Sequence, residues 1–379
     1  MIVLSIFMFP FIQFGFSWWV SISSFGCLLL LLNSVSKFKK SKLMPDNFTI
    51  TVVLSMLLVY IWQNFGDVHS FLRISREALI FYLLIYFNHR ATYFFPVRFS
   101  SKFDQCILFV VSLEFILVVC QFIALRQGIW IGPKAQWLAG RGNLIPTTLD
   151  LQYSKLRPSG TFSEPSYLGI ICLSVLLLVG SEPLQTNIRK AIYSITLVTV
   201  IFSQSKSALF FGFLIVFLQR MRARKLTQTK LPSLALPLFL LLILPLISLI
   251  SKTIESTRGS ISIQNRIFDP LAYSAQLLLE HPLGVSFYSR IFGVVDSNSG
   301  LTWETISQNS IFNLIFSYGF VGLLILIRIL LLVKKDVILL CYVFALLLQN
   351  GGYLDFDKLF LSTVVLLIYR NNSINAKST

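Results

Sequence analysis

Carboxylates are scarce in this chain. Of 379 residues only 16 are Asp or Glu and 13% carry a charge of either sign, whereas 55% are hydrophobic. An ordinary water-soluble core is therefore the wrong organising picture. Histidine is rarer still: His69, His89 and His281 lie far apart, with no Cys-x-x-Cys pair to join them. The spacing of a protein-held metal site is missing, so no metal and no other cofactor is expected. The cysteines, Cys27, Cys106, Cys120, Cys172 and Cys341, all lie in or beside apolar stretches. There they read as small core- or lipid-facing residues, which excludes a disulfide framework. A basic leader and a small-residue cleavage site are both absent from MIVLSIFMFPFIQFGF, so this opening is expected to be retained structure. No internal repeat, low-complexity tract or linker divides the chain, and one integral membrane domain over 1–379 is the simplest expectation.

What is present instead is a series of apolar runs, several of which approach the roughly 20 residues that cross a bilayer as a helix. They show no strand-like alternation, and in lipid each backbone polar group must be paired within its own helix or a closed barrel. The fold class expected is all-α, a polytopic integral membrane protein of about twelve helices. The segments run roughly over 1 to 16, 17 to 34, 47 to 63, 76 to 89, 105 to 125, 166 to 180, 190 to 203, 207 to 219, 234 to 251, 308 to 333, 337 to 349 and 358 to 370.

Lys and Arg test this threading, because short cytoplasmic loops accumulate them. KFKKSK (37–42), the stretch with Arg90, Arg98 and Lys102, the pair Arg189 and Lys190, RMRARK (220–225), Lys334 with Lys335, and the tail all fall on one side. That side holds about 18 basic residues against about 4 acidic ones, which puts both termini in the cytoplasm. Topology thus absorbs most of the net charge of +16, and a nucleic-acid partner is not expected. Two long external loops remain, about 40 residues over 126–165 and about 55 over 252–306, where connections usually span a handful. Both carry arginines and lysines, which suggests an anionic ligand outside.

The first of these loops ends in RPSGTFSEPSYLG (157–169). Ser163 or Glu164 can cap a helix that starts near Pro165, a residue suited to the first helical position. The unpaired N–H groups of such an end form a natural seat for phosphate. Arg157 can reach the same place with a guanidinium suited to diphosphate oxygens. Glu164 is then either a proton acceptor or only a capping carboxylate, and Arg157 either a clamp or an interfacial anchor. Glu114, in the middle of CILFVVSLEFILVVC, stands out because an ionised carboxylate there is costly unless paired. Two readings stand for it: a proton relay, as in a transporter or flippase of lipid-linked sugars, or a hydrogen-bonded packing contact.

The order Arg157, Gly160, Phe162, Glu164, Pro165, Ser166 resembles the signature of bacterial O-antigen and capsular polysaccharide polymerases, which belong with the O-antigen ligases. Three other passages are similar to that superfamily: the Ser-x-Ser-Lys turn in SQSKSALFFG (203–212), the arginine, helix and His-Pro-x-Gly of NRIFDPLAYSAQLLLEHPLGVSF (265–287), and the polar start and Gly-x-x-Gly of QNSIFNLIFSYGFVGLLIL (308–326). The likeness covers much of 157–326. Ligases tend to open that last helix with His-Asn; Gln308 and Asn309 stand here instead, and since Gln cannot serve as a base the polymerase is favoured over the ligase.

The resemblance implies a GT-C-like glycosyltransferase in the cytoplasmic (inner) membrane, with its active site facing the periplasm or exterior. It joins lipid-linked repeat units, transferring the glycan from polyprenyl diphosphate to a sugar hydroxyl of another lipid-linked unit. A flippase and a chain-length regulator are the protein partners it implies. Arg157 and Arg266 are expected to clamp the diphosphate, with Lys206 as a third cation and Arg290 and Arg258 as weaker candidates. Glu164 is the first choice of base and His281 the second. A ligase reaction and a flippase are the alternatives.

Overall fold

The computed structural model describes residues 46–64, 71, 74–79, 81–82, 85, 101–131, 157–162, 165–180, 186–223, 269–285, 294–296, 301–302, 309–348, 354 and 356–378. By contacts the chain forms two compact units. The first comprises Met1–Leu43, Phe87–Ala223 and Phe356–Thr379, the second Met44–Tyr86 and Arg224–Asp355. The expected segments 1 to 16, 17 to 34 and 234 to 251 lie outside the described residues.

Helices dominate both units. In chain order they are α1 (Asn47–Asn64), α2 (Ser101–Arg126), α3 (Pro165–Val179), α4 (Asn187–Phe202), α5 (Lys206–Ala223), α6 (Asp269–Glu280), α7 (Ser310–Tyr318), α8 (Phe320–Val333), α9 (Val337–Leu348) and α10 (Phe356–Ser378). Eight of the apolar runs read from sequence fall on these helices, with ends that differ by a few residues. A small antiparallel pair, β1 (Val294–Asp296) with β2 (Leu301–Thr302), accompanies a framework that is helical, as expected. Among the described residues, the stretch Lys102–Arg126 of α2 is long and apolar enough to cross a membrane, while several other apolar helices are shorter.

In the first unit α2 and α4 run parallel. Near their starts Arg189 Nε donates to Asp104 Oδ2 at 2.9 Å, and near their ends the Phe122 and Phe202 rings meet edge to face at 5.2 Å. The three-residue turn 203–205 then reverses the chain into α5, which runs parallel to α3. Gly169 of α3 faces Ala208 and Ser205, Gly212 of α5 faces Leu173 and Leu176, and Gly180 meets Gln219. Small residues at such crossings let apolar helices approach closely, which is how helices associate where no hydrophobic drive separates them from lipid. Every residue of α3 from Tyr167 to Val179 is buried, so this helix is the core of the unit. The ends carrying Arg189 and Arg222, both assigned to the basic face by the threading, therefore lie at one end of the unit, and the 203–205 turn lies at the other.

The second unit shows a break that the sequence reading missed. The stretch expected as one span over 308–333 is two helices, α7 and α8, separated at Gly319, whose φ of 57° and ψ of −129° no helix contains. The physical reason is a diverted donor. Phe320 N–H bonds to the Pro282 carbonyl at 2.9 Å, and Val285 N–H bonds to the Phe316 carbonyl at 2.8 Å. The His281–Gly284 turn is thereby docked onto the break. Below it α6 packs on α7 through Leu277, Phe312, Ile315 and Phe316. Arg328, an apparent stray charge in an apolar helix, is paired: it donates to Asp46 Oδ1 at 2.8 Å and to Thr49 Oγ1 at 3.1 Å at the start of α1.

Candidate functional site

Six of the residues singled out from sequence divide as follows. Arg157 and Lys206 belong to the first unit and His281 to the second. Glu164, Arg266 and Arg290 lie outside the described residues, as does Arg258.

The helix after the RPSGTFSEP phrase begins at Pro165, as the sequence suggests, because proline has no N–H to lose there. The described residues before it, 157–162, are held against the protein. Pro158, Ser159, Gly160 and Phe162 are buried, and the loop turns on itself, Phe162 N–H donating to the Ser159 carbonyl at 3.1 Å. Two side chains of α2 hold it. Gln121 accepts from Ser159 N–H at 2.8 Å and from Gly160 N–H at 2.9 Å through Oε1, and donates from Nε2 to the Gly160 carbonyl at 2.8 Å. Glu114 accepts from Thr161 N–H at 3.0 Å and from the Thr161 hydroxyl at 2.5 Å. Glu114 and Gln121 are seven residues apart on one helix, two turns on the same face, and each is 2% exposed. Gly160 adopts a φ of +63°, and a Cβ there would lie 2.0 Å from Glu114 Oε2. The loop therefore runs along the side of α2, not beyond its end.

This placement brings Arg157 to the Ser-x-Ser-Lys turn. Its Nη1 donates to the Gln204 carbonyl at 3.3 Å. Gln204 has a φ of 53°, a left-handed backbone that only a tight turn imposes on a non-glycine residue. The turn is closed by its serines: Ser203 Oγ donates to the Val200 carbonyl at 2.8 Å and accepts from Ser205 N–H at 3.4 Å. Lys206 follows as the first residue of α5 and is exposed. Two cationic residues are thus gathered at one end of the first unit, at the start of α5 and a few residues before α3. Ser159, two residues after Arg157, is 1% exposed, its hydroxyl bonded to no described side chain.

His281 directly follows α6, with its N–H on the Leu277 carbonyl and its own carbonyl accepting from Gly284 N–H at 2.8 Å. The helix followed by His-Pro-x-Gly is present as the motif suggests. Gln63 of α1 holds this turn from the side, donating to the Leu283 carbonyl at 2.5 Å and the Ser317 carbonyl at 3.2 Å. Asn309 caps α7, accepting from Phe312 N–H at 3.0 Å.

Several polar residues escaped the sequence reading. Gln121 lies one heptad after Glu114, and that spacing was the available signal. Glu77, buried in the second unit, accepts from the Tyr318 hydroxyl. Lys358, 2% exposed in the first turn of α10, lies on the helix that packs against α3. Each is a polar side chain in an apolar run, the same anomaly that drew notice to Glu114. Among the described residues no group of three or more His, Cys, Asp or Glu side chains could hold a metal ion.

The framework is helical, with one helix among the described residues long and apolar enough to cross a bilayer and a polar segment folded against its side, an arrangement consistent with a membrane protein. Sequence comparison gives the particular family: the model of the WcaD colanic acid polymerases matches residues 1–371, and the chain belongs to that family. Membership makes it a glycosyltransferase-type polymerase of repeat units in polysaccharide biosynthesis. No curated protein and no solved structure matches the chain.

Proposed function

We propose that the chain extends a glycan carried on polyprenyl diphosphate by transferring it to a sugar hydroxyl of another lipid-linked repeat unit, at the outer face of the cytoplasmic membrane. The observation that carries this reading is the bond from Arg157 to the Gln204 carbonyl, which brings a guanidinium to the turn that precedes Lys206 and the start of α5. Helix amino ends with adjacent cations favour phosphate oxygens.

The chemistry asked of the protein is modest, because the leaving group is already a diphosphate. The acceptor oxygen bonds to the anomeric carbon, the bond from that carbon to the phosphate oxygen breaks, and the diphosphate leaves with the electron pair. The hydroxyl proton passes to a base. Arg157 and Lys206 take the role of stabilising charge on the departing diphosphate, and Arg266 and Arg290 are assigned the same role. Glu164 is assigned the proton, with His281 as the second choice.

Arg157→Ala tests the reading. Cells complemented with it are expected to lose long surface polysaccharide while short lipid-linked repeats accumulate outside, with the protein present at its usual level. Full-length polymer in that strain would sink the assignment. Repeats stranded on the cytoplasmic leaflet would point instead to a flippase.

A further inference from the structure

Glu114 is the one intramembrane carboxylate the sequence singled out, and the proposed reaction does not use it. Both of its oxygens are engaged with Thr161, one by the backbone N–H and one by the hydroxyl. Two turns away Gln121 binds three consecutive polar groups of the same loop, Ser159 N–H, Gly160 N–H and the Gly160 carbonyl. Irregular backbone at membrane depth is tolerated only where protein satisfies it. These two side chains satisfy four backbone groups in a segment of three residues.

The segment they hold joins the two parts of the candidate site. Arg157 lies two residues before Ser159 with only Pro158 between, whose ring fixes its own φ and biases Arg157 towards an extended backbone. Pro165, the first residue of α3, lies four residues after Thr161. A clamp on 159–161 therefore sets where the Arg157 side chain starts and where the α3 amino end points. The left-handed Gly160 brings the backbone close enough for the clamp, since any Cβ there would overlap Glu114.

We infer that Glu114 and Gln121 are positioning residues that hold the 159–161 segment against α2 and so place Arg157 for the diphosphate of the lipid-linked substrate. The inference rests on the function proposed above. It treats Glu114 as an acceptor for the loop, in place of a proton relay. A glutamine at 114 can keep the arrangement, its carbonyl accepting from Thr161 N–H and its amide donating to the Thr161 hydroxyl oxygen.

The test uses the full chain in nanodiscs, with farnesyl diphosphate as the binding probe and lipid-linked repeats from a polymerase-null strain as the elongation substrate. Glu114→Ala and Gln121→Ala are each expected to weaken farnesyl diphosphate about tenfold and to raise KM. Neither should weaken binding further in an Arg157→Ala background, because all three changes remove the same contact. Glu114→Gln and Thr161→Ser should keep most of the parent's affinity. A purely structural role would instead add to the loss caused by Arg157→Ala. If Glu114→Ala does not fold, Thr161→Val, which removes one donor and leaves the carboxylate, decides the same question. Folded Ala and Val variants that bind as the parent does, while Arg157→Ala does not, overturn the clamp alone. An Arg157→Ala protein with unchanged affinity overturns the diphosphate reading and the purpose of the clamp with it.

Discussion

Replacing Gly319 by alanine should be among the most damaging single-methyl changes in the chain. Its φ of +57° already costs an L-residue about 1 to 3 kcal/mol at an uncommon ψ such as the −129° here. The added Cβ would lie 2.0 Å from the Pro282 carbonyl oxygen and 2.6 Å from Gly284 N, so backbone must move, not a side-chain tip. Relief means withdrawing the 281–284 turn, which breaks the Phe320 N–H bond to Pro282 and the Val285 N–H bond to Phe316. Val285 and Phe316 are buried, so losing their bond costs about 1 to 3 kcal/mol, whereas Phe320 and Pro282 are exposed and theirs costs a net hydrogen bond's about 0.5 to 1.5 kcal/mol. The sum is about 3 to 7 kcal/mol, a large part of the stability of an ordinary domain. Gly128 is the control: its φ is +71°, but nothing lies within 4 Å of its Cβ position, so Gly128→Ala should cost only the left-handed penalty of about 1 kcal/mol. The assay is thermal inactivation of detergent-purified protein followed by size exclusion. Gly319→Ala should fall several degrees below Gly128→Ala, at about 2 to 4 °C for each kcal/mol of difference. Gly284→Ala, whose Cβ would lie 2.6 Å from the Ser317 carbonyl carbon, should behave like Gly319→Ala, and the double variant little worse, since one displaced turn relieves both. Equal midpoints for Gly319→Ala and Gly128→Ala would refute the docking of this turn on the helix break.

Two further outcomes follow from the first unit. Asp104→Ala should destabilise by about 2 to 3 kcal/mol, less than a fully buried pair, because the Asp104 and Arg189 side chains keep 9% and 12% of their exposure. Removing Arg189 as well should recover part of that loss in a double-mutant cycle, and strict additivity of the two changes would argue against the pairing. Gly169→Ala places a methyl 2.6 Å from Ala208 Cβ and should cost about 1 to 3 kcal/mol through overpacking of α3 on α5. Ala208→Gly should restore the thermal midpoint of that variant, and no rescue would refute the parallel register of the two helices.

Much of the helical framework was legible because it depends on local features alone. Apolar run length and flanking polar residues place a segment over 47 to 63 where α1 spans Asn47–Asn64, and one over 337 to 349 where α9 spans Val337–Leu348. The start of α3 at Pro165 was legible for a similar reason, the lost N–H of proline. The break at Gly319 was not, since the run across it is unbroken in hydropathy and the carbonyl that diverts its donor belongs to Pro282, far upstream. Glu114 was legible as an anomaly but not as an acceptor for Thr161, 47 residues away, because spacing along one helix says nothing about which loop folds against it. Gln121 drew no notice because an amide in an apolar run is a weaker anomaly than a charge. Yet it makes as many bonds to the loop backbone as any side chain described.

Both units solve the same physical problem with the same pair of residue types. A motif turn with a left-handed glycine, Gly160 in one unit and Gly284 with Gly319 in the other, exposes backbone groups that apolar neighbours cannot satisfy. In each case a glutamine from an apolar helix bonds the turn's carbonyls, Gln121 to Gly160 and Gln63 to Leu283 and Ser317. In each case a buried carboxylate accepts a hydroxyl, Glu114 from Thr161 and Glu77 from Tyr318. An amide is suited to the first task because it donates and accepts at once, and a carboxylate to the second because it offers only acceptors. A helix can carry either side chain inward at little cost so long as the turn is docked, and the turn keeps its left-handed backbone only while the side chains hold it. Folding of the motif turns and burial of these polar groups are therefore one event in each unit. A variant that loses either partner is expected to lose the local shape around Arg157 or His281 before it loses the helices themselves.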